Sequence, residues 1–319
     1  EVTDEGDASL NNWGGGVGSG VRDLYQDVID SIERHRDAIS ASEAANARHV
    51  AESKIAAHSE ELNEKIVEQF EAAGVESVDT ESVKEFSPFH WVLEFAPVYE
   101  SGGFDVVIGN PPWDRVKPLR DDFFSKYDET FRTRKPDDKD KKEEELLSDN
   151  EIAAEWEAYQ EEMETRAEFF KNSPEYRLQR PEIDGRVKPN PSDLSALFFE
   201  RVFSLADDDS YVAQILPGAI FNGASCKDLR SHLLDNTRVD VLNIFENHGI
   251  FDQIHGQYKF GVVVYKNQGA TNYVAGKYSE GDLGILENFE EEAIDIPRNV
   301  LERYSPEARI FPYIESERK

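Results

Sequence analysis

Residues 104–113 read Phe-Asp-Val-Val-Ile-Gly-Asn-Pro-Pro-Trp. An apolar run of strand length enters a glycine, then a carboxamide, two prolines and an aromatic ring. Asn110 offers a side-chain carbonyl oxygen as a hydrogen-bond acceptor. Pro112 has no N–H, so the backbone there is stiff and cannot donate. The Pro111 carbonyl is left as a second, fixed acceptor, and Trp113 supplies a flat face for stacking. Two acceptors and one stacking face suit a planar amine, such as the exocyclic amino group of a base taken out of its duplex. A Pro-Pro turn closing a strand, with Asn110 as a turn former, explains each residue singly but not their combination.

Such a tetrapeptide needs a sheet behind it, because open α/β sheets bind ligands just past the carboxyl ends of their strands. The run Phe104–Gly109 predicts a short, fully buried strand. Further strands are expected over 211–216, 239–245 and 258–265, with 272–278 a weaker candidate. Helices are expected over 193–205, with Leu194, Leu197, Phe198 and Val202 at helical spacing, over 224–234 and over Arg298–Tyr304. Strands alternating with helices from 86 to 266 indicate an open α/β sheet. Upstream, 21–73 is long, polar and proline-free with a sparse apolar stripe, predicting a helical arm or hairpin broken near 40–46. Residues 118–190 return to charge, with one long polar helix over 139–170 and a loop over 171–191. The expected organisation is an acidic, glycine-rich segment and helical arm over 1–85, then a core over 86–270 with a helical insertion at about 118–190. Residues 271–319 would begin a C-terminal connection.

Asn-Pro-Pro-aromatic after an apolar strand resembles the catalytic motif of the amino-group DNA methyltransferases. The wider stretch Phe89-His90-Trp91 … Gly102-Gly103-Phe104 through Trp113 is similar to the adenine-specific enzymes. Among these it looks most like large ones of bifunctional restriction–modification and phage-defence systems. Asp193-Leu194-Ser195-Ala196-Leu197-Phe198, Gln214 through Ile220, and Phe245-Glu246-Asn247 with Lys259 through Val264 are similar to later family segments, in the expected order. The resemblance implies a partial Rossmann-like methyltransferase sheet, S-adenosylmethionine as cofactor and double-stranded DNA as substrate, with restriction or defence subunits as partners. It implies that Asn110 and Pro111 hold the N6 amino group of a flipped adenine between Trp113 and a second aromatic. Phe251 is the choice for that second ring, with Tyr258 and Phe260 as rivals. Pro112, Leu194 and Phe198 would pack on the adenine of the cofactor, although plain helix core explains Leu194 and Phe198 equally well. A protein-glutamine methyltransferase, or a non-catalytic DNA-binding or scaffold piece that keeps the motif, is the alternative.

The family's cofactor loop is a glycine turn between a buried strand and a helix, with acids nearby. Gly14–Gly20 lacks a preceding strand and reads as a flexible linker. The loop is therefore expected upstream of Glu1 in a longer parent, with a target-recognition region after Lys319. The chain alone would then bind cofactor weakly and be inactive.

The chain of 319 residues carries a formal net charge of −31, with 35 basic against 66 acidic residues. That looks adverse to a phosphate-rich partner. An acidic, lysine-poor surface also suits high salt, where repulsion is screened, and an ordinary acidic protein is the other reading. Charge is uneven, however: residues 115–135 hold seven basic against four acidic residues. Arg115, Lys117 and Arg120, directly after the tetrapeptide, are candidate phosphate contacts, with a solvated mixed-charge face as the bland alternative. Cys226 is the only cysteine, which excludes an internal disulfide and fits a reducing cytoplasm. No apolar run is long enough to span a membrane. The seven histidines show no metal-ligand spacing, so no metal is expected. Ser19 and Ser225 lack a nucleophile elbow, and no nuclease constellation of paired acids and a lysine is evident.

Overall fold

The computed structural model describes residues 19–189, 193–252, 254–280 and 282–314. The chain begins with helices α1 (Ser19–Arg36), α2 (Ala41–Ala72), α3 (Thr80–Phe86), α4 (Trp91–Glu94) and α5 (Ala96–Glu100). Strand β1 (Phe104–Gly109) follows, then α6 (Arg120–Phe124), α7 (Pro136–Leu147), α8 (Asn150–Asn172) and the short strands β2 (Glu182–Ile183) and β3 (Arg186–Val187). Next come α9 (Leu194–Leu205), β4 (Ala206–Pro217), α10 (Gly218–Asn222), α11 (Lys227–Asn236), β5 (Arg238–Glu246) and β6 (Lys259–Lys266). The chain closes with β7 (Tyr273–Gly276), β8 (Tyr278–Glu280), α12 (Phe289–Glu292), β9 (Ile294–Pro297) and α13 (Arg298–Tyr304).

Five strands form the central sheet in the order β1-β4-β6-β5-β8. β1 runs parallel to β4 and β5 parallel to β8, while β6 is antiparallel to both β4 and β5. Strands β1, β4, β5 and β8 therefore end at one rim, and β6 begins there, with Phe260 opposite Pro217 and Lys259 opposite Glu246. The segments after β1, after β4 and between β5 and β6 all open from that rim. The α/β class and the strand that carries the tetrapeptide are as the sequence predicts.

The period-2 alternation of strands gives the sheet two distinct faces. Val212, Leu216, Val263 and Tyr265 on one face are wholly buried with Phe199, Phe221, Leu229 and Leu233 from α9, α10 and α11. Val107 reaches the same core from β1. The expectation of a fully buried β1 is corrected here. β1 is an edge strand, and its alternate residues Val106 and Ile108 are 58% and 79% exposed. Gly103 opens this strand at φ +134°, and a Cβ there would stand 2.9 Å from the Asp207 amide nitrogen. The close approach to β4 and the left-handed turn both call for glycine.

The arm breaks over 37–40 rather than 40–46, because the Ser40 side chain accepts from the Glu43 N–H at 3.2 Å and caps α2. Val28, Ile29 and Leu62 of the arm bury against Val92, Leu93 and Ala96, which precede β1. Buried His90 donates from Nε2 to Asn63 Oδ1 at 2.9 Å, tying this segment to α2. Burial holds the His90 pKa below its ordinary value.

The single helix expected over 139–170 is two helices, because Asp149 caps α8 by accepting from the Glu151 N–H at 2.9 Å. The insertion has its own core of Phe123, Phe124 and Phe131 with Trp156 and Tyr159. α8 has 23 residues, about 35 Å at helical rise. Phe169 near its end stacks on Phe70 of α2, with centroids 4.3 Å apart. The loop expected over 171–191 contains a 3-10 turn at Pro174–Gln179 and the β2–β3 hairpin. The strand expected over 272–278 is divided: β7 pairs with β9, and β8 joins β5.

Arg230 of α11 is fully buried, and among the described residues its guanidinium donates to the carbonyls of Ile220, Gly223, Ala308 and Arg309, at 2.6–3.1 Å. Burial lowers its pKa to about 10. The residues after α13 are thereby fastened to the core.

Candidate active site

Asn110 and Pro112 are exposed at the rim, and Pro111 and Trp113 are half-buried. The Trp113 ring lies against the second face of the sheet, in a cluster with Phe245, Phe260, Ile285 and Phe251. Phe251 meets it edge-on, with centroids 5.3 Å apart and planes at 71°. Tyr258 lies nearly parallel to it, at 5.7 Å and 19°. Phe260 is tilted at 6.2 Å and is only 2% exposed. Two faces holding a base between them stand about 7 Å apart, twice the usual carbon–carbon contact. None of these pairs is open to that width, so a ring entering here must displace one partner. Among the described residues the buried Trp113 indole N–H meets no acceptor.

Phe251 and Tyr258 belong to the segment that returns from β5 to β6. It starts in a tight turn, with His248 at φ 36° and Gly249 at φ 91°, and is closed at its base by the Asn247 N–H donating to the Tyr258 carbonyl at 2.8 Å.

Past Trp113 the chain is pinned to the start of α9. The Leu194 N–H donates to the Asp114 carbonyl at 2.9 Å, and the Arg115 backbone pairs with that of Asp193 in an isolated antiparallel bridge. Asp193 caps α9, accepting from the Ser195 N–H at 3.0 Å. The helix N-terminus and the tetrapeptide are thus one local unit. Leu194 and Phe198 line a cavity of about 300 Å³ with Phe89, Trp91, Tyr176 and Arg201, and Trp113 is not part of its wall. Phe198 is 44% exposed. Pro112 does not line this cavity, so the three residues expected at a cofactor adenine are divided between rim and cavity. Phe89 and Trp91 escaped sequence reasoning as wall residues; their density of aromatics beside His90 was the available signal.

Glu200, on α9, is buried beneath the Tyr176 wall. Its carboxylate accepts from the Leu178 N–H at 2.9 Å and from Gln179 Nε2 at 2.8 Å. Burial nevertheless outweighs these bonds and raises its pKa to about 7. Among the described residues Gln179 Oε1 is buried without a partner, while its Nε2 also donates to the Ala196 carbonyl at 3.1 Å.

The basic stretch after the tetrapeptide divides as well. Arg115 and Lys117 are exposed. Arg120 pairs with Asp140 at 2.7 Å and with Glu143, and faces the Phe131 ring. Arg132 and Arg134 pair with Asp122 and Asp128. Much of the local positive charge is therefore spent inside the insertion.

Among the described residues no group of three His, Cys, Asp or Glu is placed to hold a metal ion, and no helix is long and apolar enough to cross a membrane. The glycines at 14–18 lie outside the described residues.

A sequence profile described as Eco57I restriction-modification methylase matches residues 40–147 and 159–251, more than half of the chain. No curated protein matches the sequence. Among solved structures, a modification subunit assigned to a type I restriction enzyme from Vibrio vulnificus is 9% identical, with 67% of this chain and 38% of that chain covered, at a TM-score of 0.36. A chain from a structure of complex assembly in the type I R-M system is 10% identical, with 69% and 39% covered, at 0.38. The type IIG restriction endonuclease BpuSI is 21% identical over 28% of this chain and 10% of that one, at 0.24. The chain spans under two fifths of the length of the first two of these proteins.

Proposed function

The chain belongs to the Eco57I restriction-modification methylase family, and we propose that it forms the catalytic rim of a DNA methyltransferase acting on the N6 amino group of adenine. One observation carries this reading: Asn110 to Trp113 stands at the carboxyl rim of the sheet, with Phe251 and Tyr258 against the Trp113 ring. In double-stranded DNA the target adenine flips out and lies on Trp113, with Phe251 or Tyr258 as the second ring. The Asn110 side-chain oxygen and the Pro111 carbonyl accept both N6 hydrogens. That draws the nitrogen toward tetrahedral geometry and releases its lone pair from the ring, so positioning and polarisation do most of the catalytic work.

S-adenosylmethionine, when bound, supplies an electrophilic methyl group. The cavity beside α9 is apolar, aromatic-walled and large enough for a purine. Leu194 and Phe198 would hold the adenine of the cofactor there, with Pro112 approaching from the rim. Arg115 and Lys117 would meet DNA phosphates. Restriction-system subunits are the expected partners.

Asn110→Ala in the parent protein is expected to abolish methyl transfer while keeping DNA binding, checked by a methylation assay beside fluorescence anisotropy. Full activity in that variant would sink the reading. Replacing Arg115 and Lys117 together by alanine should weaken DNA binding and lower the salt slope by about two. Arg120→Ala should change both much less, because Asp140 and Glu143 already hold that guanidinium.

A further inference from the structure

The Asn247 side chain is fully buried at the foot of the segment that carries Phe251 and Tyr258. Its Nδ2 donates to the Phe251 carbonyl at 2.9 Å and to the Ile254 carbonyl at 2.7 Å, with the His255 carbonyl at 3.5 Å. Its Oδ1 accepts from the Phe251 N–H at 2.7 Å. These partners also fix which end of the carboxamide is nitrogen. The backbone of the same residue adds two bonds, from its N–H to the Tyr258 carbonyl and from the Ile250 N–H to its carbonyl, both 2.8 Å. One residue thus closes both ends of the segment and fills its centre.

This arrangement is more than loop stability. Among its described residues the segment has no strand or helix of its own to hold Phe251 and Tyr258 in place, and ordering each free residue carries an entropic cost. Its other internal backbone bonds are few: His248 N–H to the Gly256 carbonyl, Ile254 N–H to Phe251 and Tyr258 N–H to His255. The carboxamide replaces the missing ladder, and its bonds converge on Phe251 and on the residues leading to Tyr258. Both rings touch Trp113.

We infer that Asn247 is a positioning residue of the base site, holding the backbone of the 247–258 segment in place while one of the Phe251 and Tyr258 rings swings aside for a base on Trp113 and the other stays to face it. The inference rests on the reading above that Trp113 receives the target base. Every one of these hydrogen bonds goes to a backbone group, so Asn247 acts through the backbone that carries the rings.

The test uses the 319-residue chain and a single-stranded oligonucleotide with one 2-aminopurine flanked by abasic sites. The probe is bright until its base stacks on an aromatic ring. The unsubstituted chain should quench it. Asn247→Ala should weaken quenching by about tenfold in probe concentration, the scale of losing one or two net hydrogen bonds that order the segment. Asn247→Asp, matched in shape but turning a carboxylate toward two carbonyls, should do at least as much. In a chain already carrying Phe251→Ala and Tyr258→Ala, Asn247→Ala should add less than about twofold, because it acts through those rings. Circular dichroism melts identify any variant that does not fold, and the Asp variant then stands for the Ala variant. Quenching unchanged in both variants, or an Asn247→Ala effect undiminished in the ring-deleted chain, overturns the inference. If the unsubstituted chain does not quench while Asn110→Ala leaves methylation by the parent intact, the base-site reading itself falls. Quenching by the unsubstituted chain that Asn247 does not influence leaves that reading standing and removes only the role of Asn247.

Discussion

On the helical face of the sheet Val212, Leu216, Val263 and Tyr265 are sealed under α9, α10 and α11, whereas on the other face Val106, Ile108 and Tyr211 are 58%, 79% and 45% exposed. The residue types are alike. What differs is the cover: α9, α10 and α11 with Leu301 and Phe311 on one side, and on the other, among the described residues, an aromatic cluster around Trp113 at the rim. The first face holds the fold together. The second carries the candidate chemistry, on a segment held by one carboxamide and a few backbone bonds. The candidate base site and the sealed core thus lie on opposite sides of the same strands, while the cavity proposed for the cofactor is walled by α9, which covers the sealed face.

The contrast can be broken by mutation. The largest effect is expected from Leu216→Ala on the sealed face, a loss of about 3–4 kcal/mol in denaturant unfolding, as for buried leucines generally. Next comes the pH response of Glu200, which anchors α9 over that face. Its folded pKa is raised to about 7 from the ordinary 4.5. Below pH 4.5 both folded and unfolded states hold the proton and stability is complete. Between 4.5 and 7 the unfolded chain ionises first, and about 3 kcal/mol is lost as pH rises through the folded pKa. Glu200→Gln should remove this slope, measured as melting temperature against pH. A slope that survives the substitution would mean that another group is titrating. The smallest effect is expected from Ile108→Ala on the open face, within about 0.5 kcal/mol. A cost there equal to that of Leu216→Ala would show that the two faces are not finished differently after all.

Much of this was legible before any coordinates. The apolar runs placed four of the five sheet strands, and the tetrapeptide fell at a strand end where sheet topology puts ligands. The exposure of β1 was not legible, because an apolar run states what a strand tolerates and not what covers it. The two helix breaks were legible in principle: Ser40 and Asp149 are capping residue types, but polar runs around them hid the signal. Counting charge over 115–135 could not show that Arg120 is met by carboxylates some twenty positions further on. The parallel Tyr258 and edge-on Phe251 depend on a turn at Asn247-His248-Gly249, whose polar-glycine signature was present in the sequence and passed over.

Arg230 has a practical consequence for anyone who trims or fuses this chain. Three of its five hydrogen bonds go to the carbonyls of Ala308 and Arg309. A cut before Ala308 leaves a buried cation facing its remaining acceptors alone. Tags and fusion partners therefore belong beyond Ile314, because Phe311 is buried in the same core and the Ile314 carbonyl accepts from the Tyr278 N–H at 2.8 Å.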